Sequence, residues 1–182
     1  MLLITESRES SKSTKDEAAL VRAAQAGDRA AFGEIYHQFA RMIHGILLAH
    51  VRYSDAEDLM QDVFVRALQR LPALRETGAL GGWLASIARH AAFDHHKRIR
   101  LLDALPEKLA GGGRPDCEAF EVLGMIQTLP ESYRETLVLR LVESMTGPEI
   151  AARTGMTAES VRVNLCRGMK LLRAKLEQRA KS

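Results

Sequence analysis

From Asp16 to nearly the end of the chain, apolar residues recur at every third or fourth position, and no stretch alternates with period two. That pattern predicts an all-α fold. A first helix is expected over residues 16–26, closed by Gly27, and a second from Asp28, whose carboxylate can cap it, to about His50. In the second, Phe32, Ile35, Tyr36, Phe39, Met42, Ile43 and Ile46 follow the i, i+3, i+4, i+7 rule and form a broad inner stripe. A third helix runs from Ser54 or Asp55 to Leu71, where Pro72 stops it, with Leu59, Val63, Ala67, Leu68 and Leu71 on its inner face. After a loop holding Gly78, Gly81 and Gly82, a fourth helix over about 82–100 carries Trp83, Leu84, Ile87, Ala88 and Ala91 inward. Four such helices make one bundle.

Residues 101–116 contain Pro106, Gly111, Gly112, Gly113 and Pro115, a composition that cannot hold a helix throughout, and read as a linker. The helical period returns from Cys117 through Phe120, Val122, Leu123 and Ile126, breaks at Leu129-Pro130, and resumes over 131–142. Then come Glu149-Ile150-Ala151-Ala152-Arg153-Thr154-Gly155 and a further helix, which Thr157 can cap through an orphan amide. Ser160 stands where a capping box would place Glu or Gln. The last helix interleaves Val161, Leu165, Met169, Leu172 and Leu176 with Arg162, Arg167, Lys170, Arg173 and Lys175, an apolar stripe backed by a cationic one. A glycine-centred turn between two such helices is a helix-turn-helix, whose second helix would offer cations to phosphate and base edges of DNA. The organisation expected is a polar, flexible leader over 1–15, a helical domain over 16–100, the linker over 101–116 and a second domain over 117–178.

Composition narrows the classes. With 46% apolar and 27% charged residues among 182, the chain can bury a core and is no disordered tail. A net charge of +3 is compatible with nucleic acid without requiring it. Cys117 and Cys166 have no ligand or disulfide spacing, and no run approaches a membrane span, so a cytoplasmic protein is expected. His37, His44 and His50 are spaced by seven and six, and His95 and His96 are adjacent and diverge, so no metal site is expected. Neither a phosphate loop nor a catalytic triad pattern stands out, so neither an enzyme nor a cofactor is expected.

Three segments, in order, resemble the extracytoplasmic-function (ECF) sigma factors, the two-domain promoter-specificity subunits of bacterial RNA polymerase. They are Asp55-Ala56-Glu57-Asp58-Leu59-Met60-Gln61-Asp62-Val63-Phe64, Gly82-Trp83-Leu84-Ala85-Ser86-Ile87-Ala88-Arg89-His90, and Leu129-Pro130-Glu131-Ser132-Tyr133-Arg134-Glu135 leading into the helix-turn-helix. The resemblance implies a first domain like sigma region 2 and a second like region 4. It implies that Asp58, Gln61, Asp62 and Phe64 bind the core polymerase at its β′ clamp helices. Helical spacing places Asp58, Gln61 and Asp62 together opposite Leu59 and Val63, an acidic, polar patch suited to a basic partner. Arg75, Gly78, Trp83, Arg89, Lys97 and Arg98 would hold the −10 element, with the glycine-rich loop capturing a flipped base. The spacing of Trp83 to Ile87 itself reads as core. Glu159, Ser160, Arg162 and Val163, behind the Thr157 cap, would read the −35 element, with Arg153, Arg167 and Lys170 on phosphate. The β flap and an anti-sigma factor are further implied partners. Leu80, Gly81-Gly82 and Asn164 depart from the family pattern and leave base preference and −35 affinity open. The rival reading is a conventional helix-turn-helix regulator with an N-terminal sensing domain, which would have no reason to carry the acidic 55–64 segment.

Overall fold

The computed structural model describes residues 16–103 and 118–180, and every regular element among them is helical. The leader and nearly all of the expected linker, with Cys117, lie outside the described residues. Helix α1 covers residues 16–25 and ends in a Schellman turn, in which Asp28 N donates to Ala23 O, Gly27 N donates to Ala24 O, and Gly27 takes φ 94°. Helix α2, Arg29–His50, starts at once because Asp28 Oδ1 accepts from Ala30 N and Ala31 N at 2.9 and 3.2 Å. Substituting Asp28→Ala should cost about 1 kcal/mol of stability, read as a lower midpoint in urea with unchanged slope.

Helix α3, Tyr53–Arg70, stops before Pro72 in a short 3₁₀ turn, Leu71–Ala73. Gln25 Nε2 donates to the carbonyls of Leu71 and Leu74 and fastens that turn to α1. Helix α4, Leu80–Asp103, begins two residues earlier than the sequence predicts, so Gly81 and Gly82 lie in its first turn rather than in a loop. Fully buried Leu80 anchors that start. Helices α1 to α4 enclose Val21, Ile35, Met42, Val63, Leu84 and Ala88.

The second unit holds α5, Glu118–Gln127, α6, Glu131–Leu141, α7, Gly147–Thr154, and α8, Ala158–Ala180. Its core is Ile126, Leu129, Leu137, Ile150, Val161 and Leu172. Helix α8 crosses α6 at Gly168, where an added Cβ would lie 2.9 Å from Leu137 Cδ1 and 3.1 Å from Tyr133 Cβ.

Two helices are buried on every side over part of their length: α2 through Gly45, Ile46, Leu47, Leu48 and Ala49, and α6 through Glu135, Thr136, Leu137, Val138 and Leu139. A helix with no solvated face is a central one, and these two pack on each other, joining the two units. The stripe expected on α2 is therefore only half of its buried surface. Other inner assignments change as well. Leu68 is 51% exposed because it points to the outer side of α3, between fully buried Ala67 and Leu71, and Leu176 is 39% exposed, beyond Leu172, the last buried residue of α8. No helix among the described residues is long and apolar enough to cross a membrane.

Candidate functional site

The outer face of α3 is the first surface with a function to explain. Asp58, Gln61 and Asp62 are exposed on it, as expected. Phe64 is not: it is 5% exposed, its ring 4.6 Å from that of Tyr36, because its position turns it about a quarter-turn off the acidic face into the core. Its expected role as a partner contact is thereby corrected. The apolar members of that face are Val65 and Leu68, 54% and 51% exposed, one and two turns beyond Asp58, Gln61 and Asp62. Their signal in the sequence was spacing to the acidic residues, which the inner-face reading of Leu68 overrode. Exposed apolar residues rimmed by carboxylates suit a protein partner with basic edges. Asp55 faces the other way. Burial would push its carboxyl up, but Arg52 and His95, the latter with Nε2 at 3.1 Å, outweigh that and hold it low. It ties α3 to α4.

On α4, Lys97 and Arg98 are exposed, and Arg75 and Gly78 are exposed in the approach to the helix. Trp83 is half-buried and packs on the core while also lining a cavity of about 770 Å³ with Arg70, Leu74, Arg75 and Glu76. Both readings of Trp83 thus have a structural basis. Phe93, 69% exposed, was missed: with His96, Lys97, Arg100 and Leu101 it borders a second cleft of about 320 Å³. It sits off the Leu84-Ile87-Ala88-Ala91 stripe, which was the available signal. An exposed ring beside cations has the chemistry that base stacking requires. The adjacent His95 and His96 diverge, His95 to Asp55 and His96 to the carbonyl of His50 at 2.6 Å.

Arg89 is engaged elsewhere. Its Nη2 donates to Glu135 Oε2 and its Nε to Glu135 Oε1, both at 2.8 Å, a two-pronged pair across the two units. His50 Nε2 lies 2.9 Å from the same Oε1. Burial would push the Glu135 carboxyl up, but hydrogen bonds from His50 and Arg89 outweigh it and bring the carboxyl down to about 2. The guanidinium of Arg89 is raised above its ordinary value by the same carboxylate.

The helix-turn-helix is built by three local devices. Thr146 N donates to Glu149 Oε2 at 2.7 Å while Glu149 N donates to Thr146 Oγ1, a capping box the sequence reading missed although Thr146-Gly147-Pro148-Glu149 carries its Thr-x-x-Glu signal. Gly155, at φ 74°, closes α7 in the left-handed region. Thr157 Oγ1 accepts from Ser160 N at 3.1 Å and caps α8 as expected. Ile150 and Val161 are buried between the two helices. Glu159, Ser160 and Arg162 are exposed on the first turns of α8, Val163 is half-buried, and Arg167 and Lys170 are exposed farther along. Arg153 differs from expectation. It donates to the carbonyl of Gln38 and stands 5.7 Å over the Phe39 ring, so in this arrangement it braces α7 on α2 rather than facing outward.

Residues 35–101 match the family described as Sigma-70 region 2, and residues 119–172 match Sigma-70, region 4. The ECF RNA polymerase sigma factor ShbA of Streptomyces griseus is 30% identical over 185 residues, covering 88% of this chain and 95% of ShbA. The ECF RNA polymerase sigma factor SigC of Mycobacterium tuberculosis is 31% identical over 130 residues, covering 67% and 70%. The ECF RNA polymerase sigma factor BldN of Streptomyces coelicolor is 29% identical over 166 residues, covering 84% of this chain but only 63% of BldN. In fold, the chain is similar to CnrH in complex with the cytosolic domain of CnrY, with a TM-score of 0.63 at 23% identity, covering 89% of this chain and 97% of the other. Two family regions in the order of the two helical units, and relatives of this identity over most of their length, place the chain in one family: it belongs to the ECF sigma factors of the sigma-70 family.

Proposed function

We propose that the chain is a promoter-specificity subunit: it docks on core RNA polymerase through α3, holds the −10 element on α4 and its approach, and reads the −35 element with the start of α8. The single observation that supports this best is the exposed face of Asp58, Gln61, Asp62, Val65 and Leu68, with a capped helix-turn-helix in the same chain. A sensing domain has no use for such a face, and residues 35–101 match Sigma-70 region 2 instead. The two functional units are taken as residues 16–100 and 117–178, and the place of action as the cytoplasm, where the polymerase works. Promoter opening would draw on binding free energy, not on a catalytic group of this chain. A solved structure of similar fold is RpoE in complex with the anti-sigma factor NepR from Bartonella quintana, which supports an anti-sigma partner here too.

Base reading and phosphate contact are separable. In the reconstituted holoenzyme, Arg162→Ala should lose about 1–3 kcal/mol of discrimination at one base pair of the −35 element. Lys170→Ala should weaken every sequence alike and lower the salt slope by about one. Equal loss on all sequences for both variants would remove Arg162 from base reading.

A further inference from the structure

We propose that the cavity in front of Trp83 binds a free guanine nucleotide, with the base stacked on the indole, its Watson–Crick edge on Glu76 and its phosphates on Arg70 and Arg75. The cavity measures about 770 Å³, within the roughly 300–1,000 Å³ typical of small-molecule sites. Its wall is built from the end of α3 at Arg70, the stretch that holds Arg75 and Glu76, and the first turn of α4 with Gly82 and Trp83, with Gly155 on the far side. That wall is held in place. Gln25 Nε2 donates to the carbonyls of Leu71 and Leu74 at 2.9 and 2.8 Å, and Leu71 and Leu80 are buried at either end of the stretch. A wall already ordered before the ligand arrives loses less affinity to entropy on binding.

The charges on this wall have nothing of the protein to bond. Among the described residues, Arg70, Arg75 and Glu76 are exposed and their side chains make no hydrogen bond or ion pair. Two guanidiniums suit phosphate oxygens, which arginine binds in two-pronged pairs. A carboxylate repels phosphate, so Glu76 serves another part of the ligand. It accepts two parallel hydrogen bonds from the N1–H and N2 amine of guanine, whereas adenine offers one amine there and turns an unprotonated ring nitrogen toward the acid. Trp83 packs on the core and also lines the cavity, and a purine covers an indole better than a pyrimidine does. Together these groups describe guanosine di- or triphosphate. A base in single-stranded DNA shares part of that chemistry, and Arg75 and Trp83 are assigned above to the −10 element. The free nucleotide is favoured because a Cβ built on Gly82 would lie 3.7 Å from Gly155 Cα, so backbone shuts one end of the cavity and suits a ligand that stops there, not a strand that runs on. Nucleotide and −10 strand would then exclude each other; that consequence, unlike the binding itself, rests on the DNA reading of α4.

Trp83 is the single tryptophan of the chain, so its fluorescence reports on this cavity. Titration of the full chain with GDP should quench that emission saturably, with half-saturation below about 1 mM. ADP and CDP should bind at least about tenfold more weakly, the loss expected when bonds to a charged acceptor go unmade. Inorganic pyrophosphate should displace GDP and restore the emission. Glu76→Ala should erase the preference for GDP over ADP, while Arg75→Ala should weaken both about tenfold. Both side chains are exposed, so helix content and the midpoint in urea should not move. Absence of saturable quenching by GDP would overturn the site, and equal binding of GDP, ADP and CDP would overturn guanine recognition. A short single-stranded oligonucleotide of mixed sequence forms the last arm: quenching by it and not by GDP would give the cavity to a strand alone and overturn the proposal. Capture of core polymerase by the same preparation is measured alongside; its failure would strike the sigma-factor reading and leave the titration standing.

Discussion

Replacing Gln61 and Asp62 together by lysine should lower capture of core polymerase about a hundredfold, close to 3 kcal/mol, while the chain keeps its helix content and unfolding midpoint. The magnitude follows from turning two exposed acidic or polar groups at the centre of a charged interface into repelling ones, where losing one partner of a desolvated pair costs about 2–5 kcal/mol. Folding should be spared because both side chains are exposed. The structure adds a sharper version. Val65→Asp and Leu68→Asp should each weaken capture at least about tenfold, since both side chains are more than half exposed on the same face. Phe64→Ala should behave differently, destabilising the first unit by about 3–5 kcal/mol through a cavity under Tyr36. A pull-down with core polymerase, read beside a urea melt of each variant, separates docking residues from the residue that merely neighbours them in sequence. Strong capture by the double lysine variant would refute the docking face.

How far the chain could be read without its structure depends on what periodicity can carry. The helices, the Schellman turn at Gly27, the Asp28 cap and the helix-turn-helix with its Thr157 cap were legible because each is decided within about four residues. The resemblance located the acidic α3 face and the recognition helix in the same way. What stayed hidden is contact between distant segments. The run Ile46-Leu47-Leu48-Ala49 has no polar side, a sign of burial all round, yet nothing in it says that the covering helix is α6. Leu68 fits an inner stripe by spacing and is exposed because no helix lies opposite it. Arg89 and Arg153 looked like cations in need of phosphate. Each in fact meets an oxygen acceptor of the other unit, Arg89 a carboxylate 46 residues away and Arg153 a carbonyl 115 residues away. Charge complementarity at that range leaves no local pattern.

Glu135 is where that hidden contact becomes measurable, because it is almost buried, at 8% side-chain exposure, and serves two cationic or potentially cationic partners, Arg89 and His50. Glu135→Gln should weaken the packing of the two units by up to about 3 kcal/mol, the free energy of bringing a carboxyl from 4.5 to about 2. The sign is fixed by the direction of that shift. The carboxyl is more acidic with the two units packed than with them apart or unfolded, so its contribution is fully present above about pH 4.5 and drains away as the pH falls toward 2. The parent should therefore lose protection of the α6 amides in hydrogen exchange on going from pH 7 to pH 3. Other carboxylates held low, such as Asp55, contribute to the parent's acid sensitivity, so the decisive quantity is the difference between parent and variant. That difference should be largest at neutral pH, at most about 3 kcal/mol, and shrink toward zero in acid. The loss is also capped: once the units part, Arg89 and His50 regain water, so the variant can lose no more than the packing free energy itself. The first unit should then melt unchanged, and a variant whose first unit unfolds with the interface would show that α6 supports α2 as a permanent part of one core rather than as a separable neighbour.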